Sequence, residues 1–276
     1  MSEATLDISP APNPPRRRRR AGIASPILAA LTVLLYAYLY LPILVMFVLS
    51  FNAAELAAFP LRGMTLHWYE EVFRNAHLMA GLRNSLMVGV ACVAVSIPLG
   101  LMLAYVMVRV ARRSSGPLSS AIILPILTPR IILGVLLLIF FSFVGLELNL
   151  GTVLLGHIVL TLPFATLIIA ARLRGIDFAL EEAARDLGAS PLQTWIHVLV
   201  PLLWPAVLAA ALIAFTVSFD EMVVSFFTTG VDSTLPVVIW AMLRYGYTQE
   251  INAIGALIIA STLIILAFAQ RLRGRA

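Results

Sequence analysis

The chain contains no lysine: all nineteen of its basic residues are arginine. That absence excludes a nucleotide-hydrolysing phosphate loop, which needs the lysine of its Gly-Lys-Ser/Thr motif to reach the phosphates. If ATP drives this protein, another subunit must bind it. Cysteine is nearly absent too. Cys92 stands alone in an apolar run, so neither an intrachain disulfide nor a cysteine-based zinc site can form. His67, His77, His157 and His197 are scattered without metal-ligand spacing, which points to interfacial or packing roles. No GxSxG elbow is present, so an intramembrane hydrolase lacks its nucleophile. Charge itself is scarce, at 12% of residues against 61% hydrophobic.

What fills the chain instead is long apolar runs. About 18 or more such residues span a bilayer as a helix, because the hydrocarbon core is roughly 30 Å thick and each residue rises about 1.5 Å. Six spans are expected, at Ile27–Leu49, Leu86–Val108, Ser119–Phe143, Thr152–Ala171, Val198–Phe219 and Ala253–Ala269. Several carry proline, which membrane helices tolerate where neighbours re-satisfy the freed carbonyls. Residues 1–22, rich in proline and ending in Arg16–Arg20, read as a disordered basic cytoplasmic tail; residues 23–276 form the membrane domain. The first apolar run is too long for the core of a secretory signal. With the N-terminus inside, fourteen arginines fall in cytoplasmic segments and four in external ones. The positive-inside rule therefore predicts six spans with both termini in the cytoplasm. The net charge of +5 reflects that bias and does not indicate nucleic-acid binding.

Two external segments have amphipathic character. Thr65–Met79 contains Trp68 and Tyr69, and Leu235–Tyr247 contains Trp240, Tyr245 and Tyr247. They are expected either to anchor at the headgroup layer or to meet an extracytoplasmic partner.

One polar stretch, about residues 177–197, lies between two cytoplasmic span ends. It predicts two short helices. Asp177 caps the first, Gly188 stops it, and Ser190 caps a second with Pro191 at its first position. Ala183 and Ala184 permit close approach, while Glu181, Glu182 and Asp186 offer charge to a basic partner. Read alone, the segment could be a solvated loop. Its pattern is Glu182-Ala183-Ala184, three residues, Gly188, nine residues, then Val198-Leu199-Val200-Pro201. That pattern resembles the signature loop of ABC importer permeases, departing only in the conservative Val198 and Val200. The resemblance implies an all-α type I ABC importer permease fold in the bacterial cytoplasmic (inner) membrane. It implies that Glu182, Ala183, Ala184 and Gly188 dock on an ATP-binding subunit dimer, which binds ATP and Mg while this chain holds no cofactor. It also implies an extracytoplasmic solute-binding protein and a second permease subunit. Fragments such as HWY at 67–69 and SFDEMVVSFFTTG at 218–230 resemble the polyamine (spermidine/putrescine) branch, in its second permease.

Acids at membrane depth are expensive and mark functional sites. Asp220 and Glu221, directly after the fifth span, are candidates for a cationic solute's pathway or for a helix-end or gating contact. Glu147 and Ser218 are further pathway candidates, although such a serine often bonds its own helix backbone. Arg130 departs from the resembled branch, where an acid often follows the proline. A cation facing the pathway suits an anionic or zwitterionic solute; alternatively it snorkels or pairs with an acid. Two other classes remain open: an ion-coupled secondary transporter, which would show an internal repeat and buried ion ligands, and a membrane scaffold that uses the loop for recruitment alone.

Overall fold

The computed structural model describes residues 24–55, 60–111, 115–246 and 248–273. The basic tail, Arg112, Arg113, Tyr247 and Arg275 lie outside the described residues. Among the described residues the structure is helical, with one isolated antiparallel bridge between Asn52 and Met64. The elements are α1 (Ala24–Leu49), α2 (His67–Arg74), α3 (Ala76–Tyr105), α4 (Ser115–Leu127), α5 (Arg130–Val144) and α6 (Leu150–Arg174). After these come α7 (Ala179–Asp186), α8 (Pro191–Thr194), α9 (Val200–Phe219), α10 (Val223–Thr228), α11 (Leu235–Tyr245) and α12 (Glu250–Arg273). A π-helical turn, Val106–Val110, prolongs α3, and another, Trp195–Leu199, joins α8 to α9 without a break.

The expected spans map onto these elements with three differences. Continuous helix over 26–49, 76–110, 150–174 and 191–219 is long and apolar enough to cross a membrane, and α12 is apolar over Glu250–Ile264. The second span begins about ten residues earlier than the hydropathy suggests, and the amphipathic stretch expected over Thr65–Met79 is cut in two. The cause is Asn75, whose extended backbone ends α2 and whose side chain accepts from the His77 and Leu78 amides to start α3. The fifth span begins at Pro191, because the second elbow helix runs straight into it.

The third difference matters most. Ser119–Phe143 was expected as one helix, but α4 and α5 meet at a 102° bend. Pro129 biases Thr128 away from helical geometry and supplies no amide hydrogen, so the helix stops and restarts at Arg130. A matching interruption separates α9 from α10 at residues 220–222.

The core is built by α3, α6 and α9. Ile97, Ala104, Ile169, Leu173, Leu203 and Ala210 are buried together there. Gly100 lets α3 and α6 approach closely: a Cβ there would lie 2.8 Å from the Ala165 Cβ. Small residues at such contacts let membrane helices pack by dispersion where lipid supplies no hydrophobic drive. At one end of this bundle lie the π turn of α3 and the α7–α8 elbow. At the other end α11 packs its Leu235 and Val237 inward, against α3 among others. α11 is therefore a packed element, although Trp240 and Tyr245 remain exposed. α1 stands largely apart, its apolar surface exposed, with Met46 reaching Gly255 of α12.

Candidate functional site

The elbow forms much as its residues dictate. The Asp177 carboxylate accepts from the Ala179 amide at 3.0 Å, opening α7. Gly188 adopts φ +85°, the left-handed conformation that an L side chain resists, and so turns the chain after α7. Ser190 and Gln193 form a reciprocal capping box, with Pro191 at the start of α8. Glu182, Ala183 and Gly188 are exposed and Ala184 is half-buried. Leu187 is 90% exposed and Leu192 69%, so the elbow also presents bare apolar side chains.

Glu181 corrects the sequence reading. It offers no charge to a partner but is buried, accepting from Arg109 Nε at 2.7 Å. Tyr105 donates to the same carboxylate at 3.4 Å. Arg109 also donates to the Ile176 carbonyl at 2.9 Å and lies 5.3 Å over the Phe178 ring. The last turns of α3 are thereby tied to both sides of Asp177. Residues 109 and 181 lie far apart in the chain, and no local spacing signals their pairing.

The second site lies where the two broken helices meet. α6 supplies the frame. Its Thr152 hydroxyl donates to the Thr228 carbonyl, and its His157 ring bonds Ser218 through Nδ1 and Ser225 through Nε2, each at 2.8 Å. His157 thus clamps the end of α9 to α10 across the interruption, roughly 10 Å along α6 from Leu150 at about 1.5 Å per residue. Within that clamp Glu221 is fully buried. Its Oε1 accepts from the Val224 amide at 3.0 Å, capping α10, and its Oε2 accepts from Arg130 Nη1. Arg130 is the first residue of α5, and its side chain remains 52% exposed. α5 has no side-chain cap at its N-terminus. Asp220 is exposed, and its carboxylate makes no hydrogen bond or ion pair among the described residues.

The predicted pathway residues therefore separate. Glu221 is an internal counter-charge, Asp220 is exposed, and Ser218 is buried and occupied by His157 rather than by its own backbone. Glu147 is exposed in the loop after α5, and the structure does not bring it to this group. Of the two readings of Arg130 as snorkelling or paired, the pair is the one present. The sequence alone assigns His157 an interfacial or packing role. Its role as a clamp could have been suspected only from the two serines, Ser218 and Ser225, that flank the acidic pair. Among the described residues no cluster of histidine, cysteine and carboxylate side chains could hold a metal.

At the end of the bundle opposite the elbow, an open cleft of about 380 Å³ is lined by Asn75, His77, Asn84, Asp232, Ser233 and Met242, among others. Asn84 donates to the Ser233 carbonyl at 3.0 Å and the Leu235 amide to Ser85 at 2.9 Å, which fixes that wall.

Residues 96–275 match the family described as "Binding-protein-dependent transport system inner membrane component". The chain belongs to that family. This permease is 33% identical over 242 residues to the spermidine/putrescine transport system permease protein PotC of Haemophilus influenzae, covering 87% of this chain and 94% of that one. It is 32% identical over 262 residues to the putrescine transport system permease protein PotI of Escherichia coli, covering 92% and 93%. The permease also superposes on a chain of a bacterial ABC transporter that imports the acidic polysaccharide alginate. That match has a TM-score of 0.69 and 17% identity, and it covers 95% of this chain and 99% of the other. A chain of the MetNI methionine ABC transporter superposes with a TM-score of 0.57 and 20% identity, over 77% and 98%. The all-α importer permease fold, the inner-membrane location and the resemblance to the polyamine branch, all expected from the sequence, agree with these matches.

Proposed function

We propose that this chain is one of two permease subunits in an ATP-driven importer of polyamines or a related small organic solute. An extracytoplasmic binding protein delivers the solute to the face that carries the open cleft. A dimer of partner subunits binds ATP and Mg and engages the elbow through Glu182, Ala183, Ala184 and the turn at Gly188. The arginine distribution supports six spans with both termini and the elbow in the cytoplasm. Closure of the ATPase dimer moves the elbow, and the bundle alternates between outward and inward openings. Coupling follows because ATP and solute each favour one of the two states. This chain forms and breaks no covalent bond.

The observation that carries this reading is the elbow: a capped pair of short helices that leaves Leu187 and Leu192 bare beside exposed Glu182 at one end of a membrane bundle. The test is reconstitution of the chain with its candidate ATPase, second permease and binding protein in proteoliposomes. Uptake of radiolabelled putrescine or a related amine should require both ATP and the binding protein. Uptake by this chain alone under an ion gradient would instead establish a secondary transporter. Recruitment of the ATPase without any solute flux would establish a scaffold.

A further inference from the structure

We propose that the meeting point of the two helix breaks recognises a solute bearing both an amine and a carboxylate, rather than one bearing amines alone. This rests on the importer reading above and narrows its solute class. Glu221 is buried with both oxygens engaged, so it has no lone carboxylate oxygen to offer a passing amine. What the open side sees is the positive end of an internal ion pair. Arg130 is half-exposed, and one of its five N–H donors is committed, to Glu221. A guanidinium held this way by a buried acid presents its remaining donors in a fixed plane, which suits a carboxylate. Arg130 also opens α5, whose uncapped first turn adds partial positive charge on the same side. One residue before Glu221 the chain exposes Asp220, an acid without a partner among the described residues. The group thus offers one free anion and one half-free cation. A diamine gains at Asp220 and is repelled at Arg130, whereas an amino-carboxylate is met at both. A cation exposed at this depth cannot face hydrocarbon cheaply, so its open side belongs to an aqueous path or a protein surface.

Two four-carbon probes separate the cases: putrescine, with two amines, and 4-aminobutyrate, with one amine and one carboxylate. ATP-driven uptake of each is measured with the complete complex and its binding protein. The wild-type complex should favour 4-aminobutyrate by about tenfold, the low end of the discrimination that one mismatched group gives in a site. Arg130→Gln should lower 4-aminobutyrate uptake about tenfold and leave putrescine uptake equal or higher. Asp220→Asn, which leaves the ion pair intact, should lower both. Arg130→Lys keeps the pair and should retain the preference at a lower rate, which covers the case in which the glutamine variant does not assemble. Preference for putrescine in the wild type, or equal loss of both solutes in an assembled Arg130→Gln complex, would overturn the proposal. If the binding protein stimulates ATP hydrolysis but 4-aminobutyrate does not enter, this inference alone fails. If it stimulates no hydrolysis at all, the importer reading fails with it.

Discussion

Arg109–Glu181 and Arg130–Glu221 are the same chemistry in two settings, and they differ in what is left over. In the first, both side chains are enclosed, the arginine 10% and the glutamate 1% exposed. Arg109 also has a carbonyl and an aromatic face to meet, and Glu181 has Tyr105. That pair is closed and can only hold α3 to the elbow. In the second, the glutamate is just as buried but the arginine is 52% exposed. That pair is open on one side and can act on something that arrives. Burial of the acid alone does not tell a strut from a site; the exposure of its partner does.

The largest expected effect tests the strut. Arg109→Ala leaves Glu181 charged and buried without its cation, which should cost about 3–5 kcal/mol. Thermal unfolding in detergent should register it. Replacing both partners with apolar residues of similar size, Arg109→Met with Glu181→Leu, should recover most of the loss. Failure to recover would mean that the pair does more than brace. Next is Glu221→Gln, which removes a charged acceptor from the open pair and from the start of α10. A loss of about 1.5–3 kcal/mol is expected, smaller than that of Arg130→Gln, because a released arginine can turn to water whereas a released Glu221 stays buried and charged. Equal losses would erase the distinction between open and closed pairs. Gly188→Val forces a β-branched side chain into the left-handed region at about 1–2 kcal/mol, and hydrolysis stimulated by the binding protein should fall because the elbow's turn no longer forms. Last in stability is Glu182→Lys. It is an exposed change that should leave unfolding within about 0.5 kcal/mol of wild type yet abolish co-purification of the ATPase. Retained co-purification would remove Glu182 from the coupling surface.

Much of the elbow was readable from the sequence because its signals are local. Asp177, Gly188, Ser190 and Pro191 each act on backbone groups within three residues, and each does so in the structure. The long apolar helices were readable for the same reason, although not their exact bounds: hydropathy is a property of consecutive residues. The inward turn of Glu181 was not, because its counter-charge comes from another helix. The break at Pro129 was half-readable. Proline announced a disturbance, but the size of the bend depends on what α5 packs against afterwards, which includes Phe227 close to Gly134. The partner of Ser218 was not legible, because His157 lies on a facing helix.

By itself, then, the sequence determined that this is a helical membrane permease with a capped elbow between two apolar helices, since apolar run length and capping residues act over short stretches of chain. Only the tertiary structure decided which charges are spent and which are free. Glu181 and Glu221 look no different from Glu182 and Asp220 in the chain, and what separates them is whether folding brings an arginine from elsewhere to their side.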